Sequence, residues 1–239
     1  MEPKKHRILD LFSGTGSATQ VFRDRTDCLV IDVDMDPLRE PIYACDIEQF
    51  YEWELKKFQP GDFDFIWASP PCKYFSIANQ HLSKNWWRSH PYSPQVFEAL
   101  KNVAITLEII EYLQPQYWAL ENPRGMLRTV RMMDRYPRRT VTYCQYGHDA
   151  MKPTDLWGRL PPTWQPLACE NGDDCHYNAK SSDASATEQK KYDERIHVPY
   201  GLSLSIAEAL DEVKWESIPL TTLFDFASDT RQVGGEAHQ

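Results

Sequence analysis

What most limits the folds open to this chain is a repeated pairing, in which a short apolar run is followed by a cluster of residues that cannot continue it. HRILDLF (residues 6–12) runs into SGTGS, CLVIDVD (28–34) into MDP, DFDFIWA (62–68) into SPPC, and QYWAL (116–120) into ENPRG. Runs of this length fit strands buried on both faces. RRTVTYCQYG (138–147) reads as a fifth strand. Helical patterns fall between them. Ala18, Val21 and Phe22 follow the first cluster, and EALKNVAITLEIIEYL (98–113) places Ala99, Val103, Leu107 and Ile110 on one face. Alternation of strand and helix predicts a mostly parallel sheet covered on both sides, in an α/β fold. Ligands of such sheets gather beyond the carboxyl ends of the strands, where all four clusters fall. The site is therefore expected along one edge of the sheet.

A chain of 239 residues suits one large domain. The catalytic core is expected over 1–158. Residues 159–195, rich in Pro, Asn, Ser and Asp, read as a loop-rich insertion. VPYGLSLSIAEALDEV then returns as a helix within 196–215, with Ile206, Leu210 and Val213 on one face, and 216–239 reads as a polar tail. No stretch is apolar enough to span a bilayer, and MEPKKHRILDLF has no signal-peptide character, so the expected setting is cytoplasmic. Six cysteines, at 28, 45, 72, 144, 169 and 175, follow no disulfide framework and read as thiols.

The net charge of −9 argues against a nucleic-acid partner. Its distribution weakens that argument. RGMLRTVRMMDRYPRR (124–139) holds six arginines and one acid, and Arg128, Arg131 and Arg135 recur at helical spacing, which predicts a basic helix face. A merely solvated face would look the same.

LDLFSGTGS puts Gly14 and Gly16 where backbone can approach a ligand at a helix start. A dinucleotide fingerprint would place Gly or Ala at residue 19, where Thr19 stands instead. Asp34 ends the next strand, the position of an acid that binds ribose hydroxyls, and Asp46, in YACDI, is placed to reach an adenine amino group. An adenosine-containing cofactor fits this set, although ordinary loop capping by Asp34 and Asp46 would use the same residues.

Cys72 sits past a strand end, in a loop stiffened by Pro70 and Pro71, and a nucleophilic cysteine must act as thiolate. Glu121 ends the neighbouring strand and could hold or shuttle a proton. A thiol, a carboxyl and a sulfonium cofactor suffice for one demanding reaction. Thiolate addition to carbon 6 of cytosine makes carbon 5 enamine-like, a proton or hydrogen bond at ring nitrogen 3 stabilises the adduct, and carbon 5 then takes a methyl group. As alternatives, Cys72 serves as a small buried hydrophobe and Glu121 as half of a loop ion pair.

The order LDLFSGTGS, VDMDP, CDI, SPPC-KYFS, ENPRG, QYG and YGLSLSIAEAL resembles the DNA cytosine-5 methyltransferase family over about 8–160 and 196–210. The resemblance implies a Rossmann-like, seven-stranded methyltransferase sheet, S-adenosylmethionine as cofactor, Cys72 as nucleophile, and Glu121 acting on ring nitrogen 3. It places Phe12, Gly14, Gly16, Asp34 and Asp46 at the cofactor, with Asp10, Ser13 and Ile47 beside them. Met35 would pack on the adenine, and Gly201 and Leu202 would close the pocket. Pro71, Ser76, Asn122 and Arg124 would face the substrate. The family's Gln-x-Arg-x-Arg is absent after QYG, where HDAMKPTDLWG offers Lys152 as the nearest cation. The target-recognition region shrinks to 159–195, like that of small enzymes of phages or mobile elements, with restriction–modification or phage self-protection as settings.

Such enzymes swing the target base out of the duplex. KYFSIANQHLSKNWWRSHPYSP (73–94) reads as a loop over the substrate, with Trp86, Trp87 and Arg88 contacting DNA or, equally, packing the loop onto the body. The expected partner is double-stranded DNA, met by a single copy of the chain. Cys169, Cys175 and His176 invite a metal, but three close donors fall short of the usual four. The expectation is no metal, with His197 or Cys144 as conceivable fourth ligands. Amino-group methylation is the rival reading, disfavoured because Cys72 replaces the aromatic residue such enzymes carry after Pro-Pro. An RNA substrate stays open, as does a silent binding protein, although the latter predicts loss of Cys72, Glu121 or the Gly loop. A zinc deaminase lacks its second cysteine in SPPCKYF.

Overall fold

The computed structural model describes residues 5–76, 85–87, 90–170, 172–176 and 197–215. In chain order the elements are β1 (His6–Leu11), α1 (Gln20–Arg23), β2 (Cys28–Asp34), β3 (Tyr43–Ala44), α2 (Ile47–Gln49), β4 (Phe65–Ala68), β5 (Trp86–Trp87), β6 (His90–Pro91), α3 (Pro94–Leu113), β7 (Tyr117–Pro123), β8 (Arg138–Thr142), β9 (Pro153–Trp157) and α4 (Tyr200–Glu212). Seven strands form one sheet in the order β3-β2-β1-β4-β7-β9-β8, and β5 pairs with β6 as a separate small hairpin. From β3 to β7 all neighbours are parallel. β9 runs against β7, and β8 against β9. This is the Rossmann-like methyltransferase sheet expected.

Register is what makes a site of it. Leu11 lies level with Val33 on one side and Ala68 on the other, and Ala68 lies level with Leu120. The residues next in sequence, Phe12, Asp34, Ser69 and Glu121, are thereby brought to one rim.

Side-chain alternation along β1 explains the two-sided burial. Leu9 and Leu11 pack with Ile66, Ala68, Trp118 and Leu120 beneath α3. Ile8 turns to the other face with Phe65, Trp67, Tyr117 and Ala119, covered by Val21 and Phe22 of α1 and by Leu202, Ile206 and Leu210 of α4.

Several boundaries differ from the sequence reading. α3 begins one turn earlier, at Pro94, because Ser93 caps it through the Val96 amide at 3.3 Å. The expected strand 138–147 ends at Thr142 and gives way to a tight 3₁₀ turn, Tyr143–Tyr146. The basic helix face through Arg128, Arg131 and Arg135 does not form. Two 3₁₀ turns, Met126–Thr129 and Arg131–Met133, take its place, separated by an extended Val130. Arg128 clasps both oxygens of the fully buried Asp155, a carboxylate that needs a cation, and Arg135 pairs with Glu111 at 2.7 Å.

The opening of the expected insertion also belongs to the core. Leu160 and Trp164 are buried in the α4-side cluster. The chain runs back alongside β8 through Gly158 N–H to Pro137 carbonyl (2.9 Å), Arg139 to Trp164 carbonyl (2.7 Å) and Thr142 N–H to Leu167 carbonyl (3.1 Å). Residues 177–196 and 216–239 lie outside the described ones. No helix among the described residues is long and apolar enough to cross a membrane.

Candidate active site

Two loops at the rim carry Cys72 and Glu121, and they are stitched together. The loop after β4 leaves through Ser69, whose amide donates to Leu11 carbonyl at 3.0 Å, and turns tightly where Phe75 and Ser76 amides both reach the Cys72 carbonyl at 2.9 Å. The buried Phe75 ring and the Trp86 indole, which donates to Tyr74 carbonyl at 2.8 Å, pin that turn. From the loop after β7, Asn122 donates to Pro70 carbonyl at 2.9 Å, Met126 amide donates to Phe75 carbonyl at 2.7 Å, and Gly125 bridges Ser76. At Gly125 the approach is so close that a Cβ would stand 2.1 Å from the Phe75 carbonyl oxygen. Only glycine fits there.

Cys72 is partly exposed at this junction. Burial pushes its thiol above the ordinary cysteine range, the charge of Glu121 pushes it further, and Lys152 opposes both. Glu121 is buried and accepts a 2.8 Å hydrogen bond from the Tyr143 hydroxyl. Burial and Glu121 hold that phenol well above its usual range, so it stays a donor. The Lys152 ammonium stands 4.3 Å from the centre of the Tyr143 ring. Cys72, Glu121, Tyr143 and Lys152 thus form one electrostatic unit. Tyr143 was not singled out from sequence: it sits in a run read as strand, and nothing in the spacing of YCQYG sets it apart.

The Gly loop lies beside this unit on the same rim. Phe12 and Gly14 both adopt positive φ (61° and 51°), and no atom lies within 4 Å of where a Gly14 Cβ would be. A non-glycine residue in that region is a strained position of the kind that collects at ligand sites. Both Asp34 oxygens accept backbone amides, from Gly14 at 2.7 Å and Asp36 at 2.9 Å. Asp10 is fully buried. It accepts from Thr19 at 2.6 Å, its other oxygen has no partner, and burial raises its pKa to about 7. The start of α4 closes on the loop through Val198 amide to Ser17 hydroxyl (3.1 Å) and Ser203 hydroxyl to Ala18 carbonyl (2.7 Å).

A family model for C-5 cytosine-specific DNA methylases matches residues 6–134. A protein of Frog virus 3 (isolate Goorha) named "Probable DNA (cytosine-5)-methyltransferase" is 34% identical over 176 residues, which cover 71% of this chain and 77% of that one. This chain belongs to the C-5 cytosine-specific DNA methylase family. Two solved structures are also similar. One is a candidate DNA modification methyltransferase encoded within an E. coli prophage (TM-score 0.44, 16% identity, 70% of this chain and 52% of that one). The other is Spodoptera frugiperda DNMT2 (TM-score 0.42, 18% identity, 71% and 56%). The chain therefore spans about half the length of those two.

The methyl donor of such a methylase is S-adenosylmethionine, and the Gly loop fits it. Open space stands before Gly14, a half-buried acid ends β2, and the next side chain, Met35, is 73% exposed. Phe12, Ser13, Gly14, Gly16, Asp34 and Met35 are gathered at this end of the sheet, and Asp10 ties the loop to Thr19. Asp46 is the N-cap of α2, accepting from the Gln49 amide at 2.8 Å in a capping box. Ile47 and Leu202 pack in the core. Gly201 presses on the Tyr146 carbonyl, where a Cβ would come within 2.7 Å.

On the substrate side Pro71 and Arg124 are exposed and Ser76 is half-buried beside Cys72. Asn122 and Trp86 face inward, and Trp86 takes the packing role that was its alternative to DNA contact. Both are buried and donate to loop carbonyls, and Trp86 is the indole that holds the loop down. The Trp87 side chain and Arg88 lie outside the described residues. The ground for expecting no metal near Cys169, Cys175 and His176, that only three donors lie close together, does not hold in the fold, because Cys144 is the fourth.

Proposed function

We propose that the chain methylates carbon 5 of cytosine in double-stranded DNA, acting as a single copy on a base turned out of the helix, through a covalent adduct on Cys72. The observation that carries this reading is the electrostatic pairing of Cys72 with a buried Glu121 held by Tyr143. An ionised Glu121 suppresses the thiolate. A Glu121 bearing a proton removes that opposition and donates to ring nitrogen 3 as Cys72 attacks carbon 6. One proton on Glu121 thus serves nucleophile and substrate together. Lys152 compensates the thiolate's charge, in the region where the family's paired arginines are missing. Bound S-adenosylmethionine supplies an electrophilic methyl group. After transfer, loss of the carbon-5 proton to a base expels the Cys72 sulfur and restores the ring. The residues from about 170 to 195 are the proposed target reader.

The test uses duplex DNA carrying 5-fluorocytosine, whose fluorine cannot leave as a proton, so the adduct persists. A donor-dependent, denaturation-resistant complex is expected with the wild type and none with Cys72→Ala. Mass spectrometry of nucleosides from ordinary duplex should give 5-methylcytosine. A methylated exocyclic amine surviving in Cys72→Ala would overturn the reading, and product on RNA alone would move the substrate.

A further inference from the structure

We propose that Cys144, Cys169, Cys175 and His176 form a structural zinc site that fastens the root of the 170–195 segment to the catalytic body. Sγ of each cysteine and a ring nitrogen of His176 lie within 4.8 Å of one another. Cys144 and Cys169 sulfurs are 3.2 Å apart and Cys175 and Cys144 sulfurs 3.7 Å. His176 Nδ1 lies 3.6 Å from Cys169 Sγ and 3.4 Å from Cys175 Sγ. A tetrahedral zinc with bonds of about 2.3 Å to sulfur and about 2.0–2.1 Å to nitrogen sets edges of roughly 3.8 Å between sulfurs and roughly 3.6 Å from sulfur to nitrogen. Three of these edges fall within about 0.2 Å of that cage, the Cys144–Cys169 edge is shorter, and the remaining two lie within 4.8 Å.

Other readings of the cluster fit worse. A disulfide needs sulfurs about 2.05 Å apart, and all the cysteines here are free. A core thiol packs among carbons, whereas three sulfurs and an imidazole converge here on one point. Three soft thiolates and a histidine select zinc over magnesium or calcium, and four protein ligands leave no open position for catalysis.

The position gives the site its purpose. Cys144 lies in the Tyr143–Tyr146 turn, next to the tyrosine that holds Glu121. The other three ligands come from 169–176, which is already guided to that turn by Cys169 amide to Thr142 hydroxyl (2.9 Å) and Leu167 amide to Tyr146 hydroxyl (2.8 Å). A metal here would hold the segment proposed to read DNA against the turn that positions the proton donor.

The experiment is metal analysis of the purified full-length chain by plasma mass spectrometry, with cobalt substitution of the same protein. About one zinc per chain is expected, released by a mercurial thiol reagent. The cobalt form should show sulfur-to-metal charge transfer and the strong visible bands of a tetrahedral ion. Cys169→Ser with His176→Ala should lose the metal, while Cys28→Ser keeps it. Chelation should weaken DNA binding at least tenfold and leave S-adenosylmethionine binding unchanged by calorimetry. A folded wild-type chain that stays metal-free after refolding with zinc, a Cys144–Cys169 disulfide in the native protein, or full zinc content in the double variant would overturn the proposal. Because the wild-type metal content and cobalt spectrum need no variant, a misfolded mutant leaves the test intact.

Discussion

Cys72 must ionise, and it stands beside a carboxylate that resists this. Glu121→Gln removes that resistance but leaves burial in place. Alkylation of Cys72 near neutral pH, followed by peptide mapping, should be several-fold faster in Glu121→Gln, and slower in Lys152→Ala, which removes the favourable charge. Methylation should nevertheless collapse in Glu121→Gln. Equal alkylation rates in all three proteins would sink the coupling. Because the thiol is raised, alkylation of Cys72 in the wild type should keep accelerating with pH past the ordinary cysteine range before levelling. Tyr143→Phe removes a hydrogen bond to a charged group, worth about 1.5–3 kcal/mol, so kcat should fall by roughly 10- to 100-fold with donor affinity unchanged. Cys72 and Glu121 were legible because prolines mark their loops. Tyr143 was not, because its partner lies 22 residues away in sequence and only folding brings them together. Asp10 offers a test of stability. Its carboxyl is raised from 3.8 to about 7 by burial, so the folded chain keeps a proton that the unfolded chain sheds between those values. Its contribution is fully present below about pH 4 and lost as pH rises towards 7. Asp10→Asn should therefore gain melting temperature over the wild type between pH 5 and 8, as about those limits bracket the transition, and the gain should vanish in acid.

Among the elements, the junction of the Cys72 and Glu121 loops is where a small change should have a large effect. Gly125→Ala puts a Cβ into the Phe75 carbonyl, and overpacking of this kind costs about 1–3 kcal/mol. Denaturant melts should register that loss, and single-turnover methylation should slow because Cys72 and Glu121 part. An unchanged rate would show that the junction does not position them. The central strands were legible from apolar runs, since a strand buried on both faces reads as apolar throughout. β3 and β9 were not: YA is two residues long, and PTDLW carries a proline and a buried, salt-bridged Asp155. The basic face failed for a related reason, because helical spacing carried no information about a buried carboxylate waiting across the sheet for Arg128.

At the scale of the whole molecule, a net charge of −9 sets phosphate contacts against the overall field, and two arginines of the 124–139 run are committed to Asp155 and Glu111. Exposed Arg124, Arg131 and Arg138 are the candidates in this region. Affinity for duplex should depend shallowly on salt, with a slope corresponding to about 2–4 phosphate contacts, and Arg124→Ala and Arg131→Ala should each flatten it by about one. A steep slope unaffected by either change would place the backbone contacts elsewhere.

His176 stands beside the Cys144 side of the Tyr143–Tyr146 turn, and the described chain resumes at His197. One root of the intervening segment is thus tied at that turn, and the other at the Gly loop, where the Val198 amide donates to the Ser17 hydroxyl at 3.1 Å. Lengthening a segment held at both ends costs little, about 0.6 kcal/mol for each doubling. If this segment reads the target as proposed, an evolving genome can exchange it like an interchangeable key bit while the lock that does the chemistry is inherited unchanged.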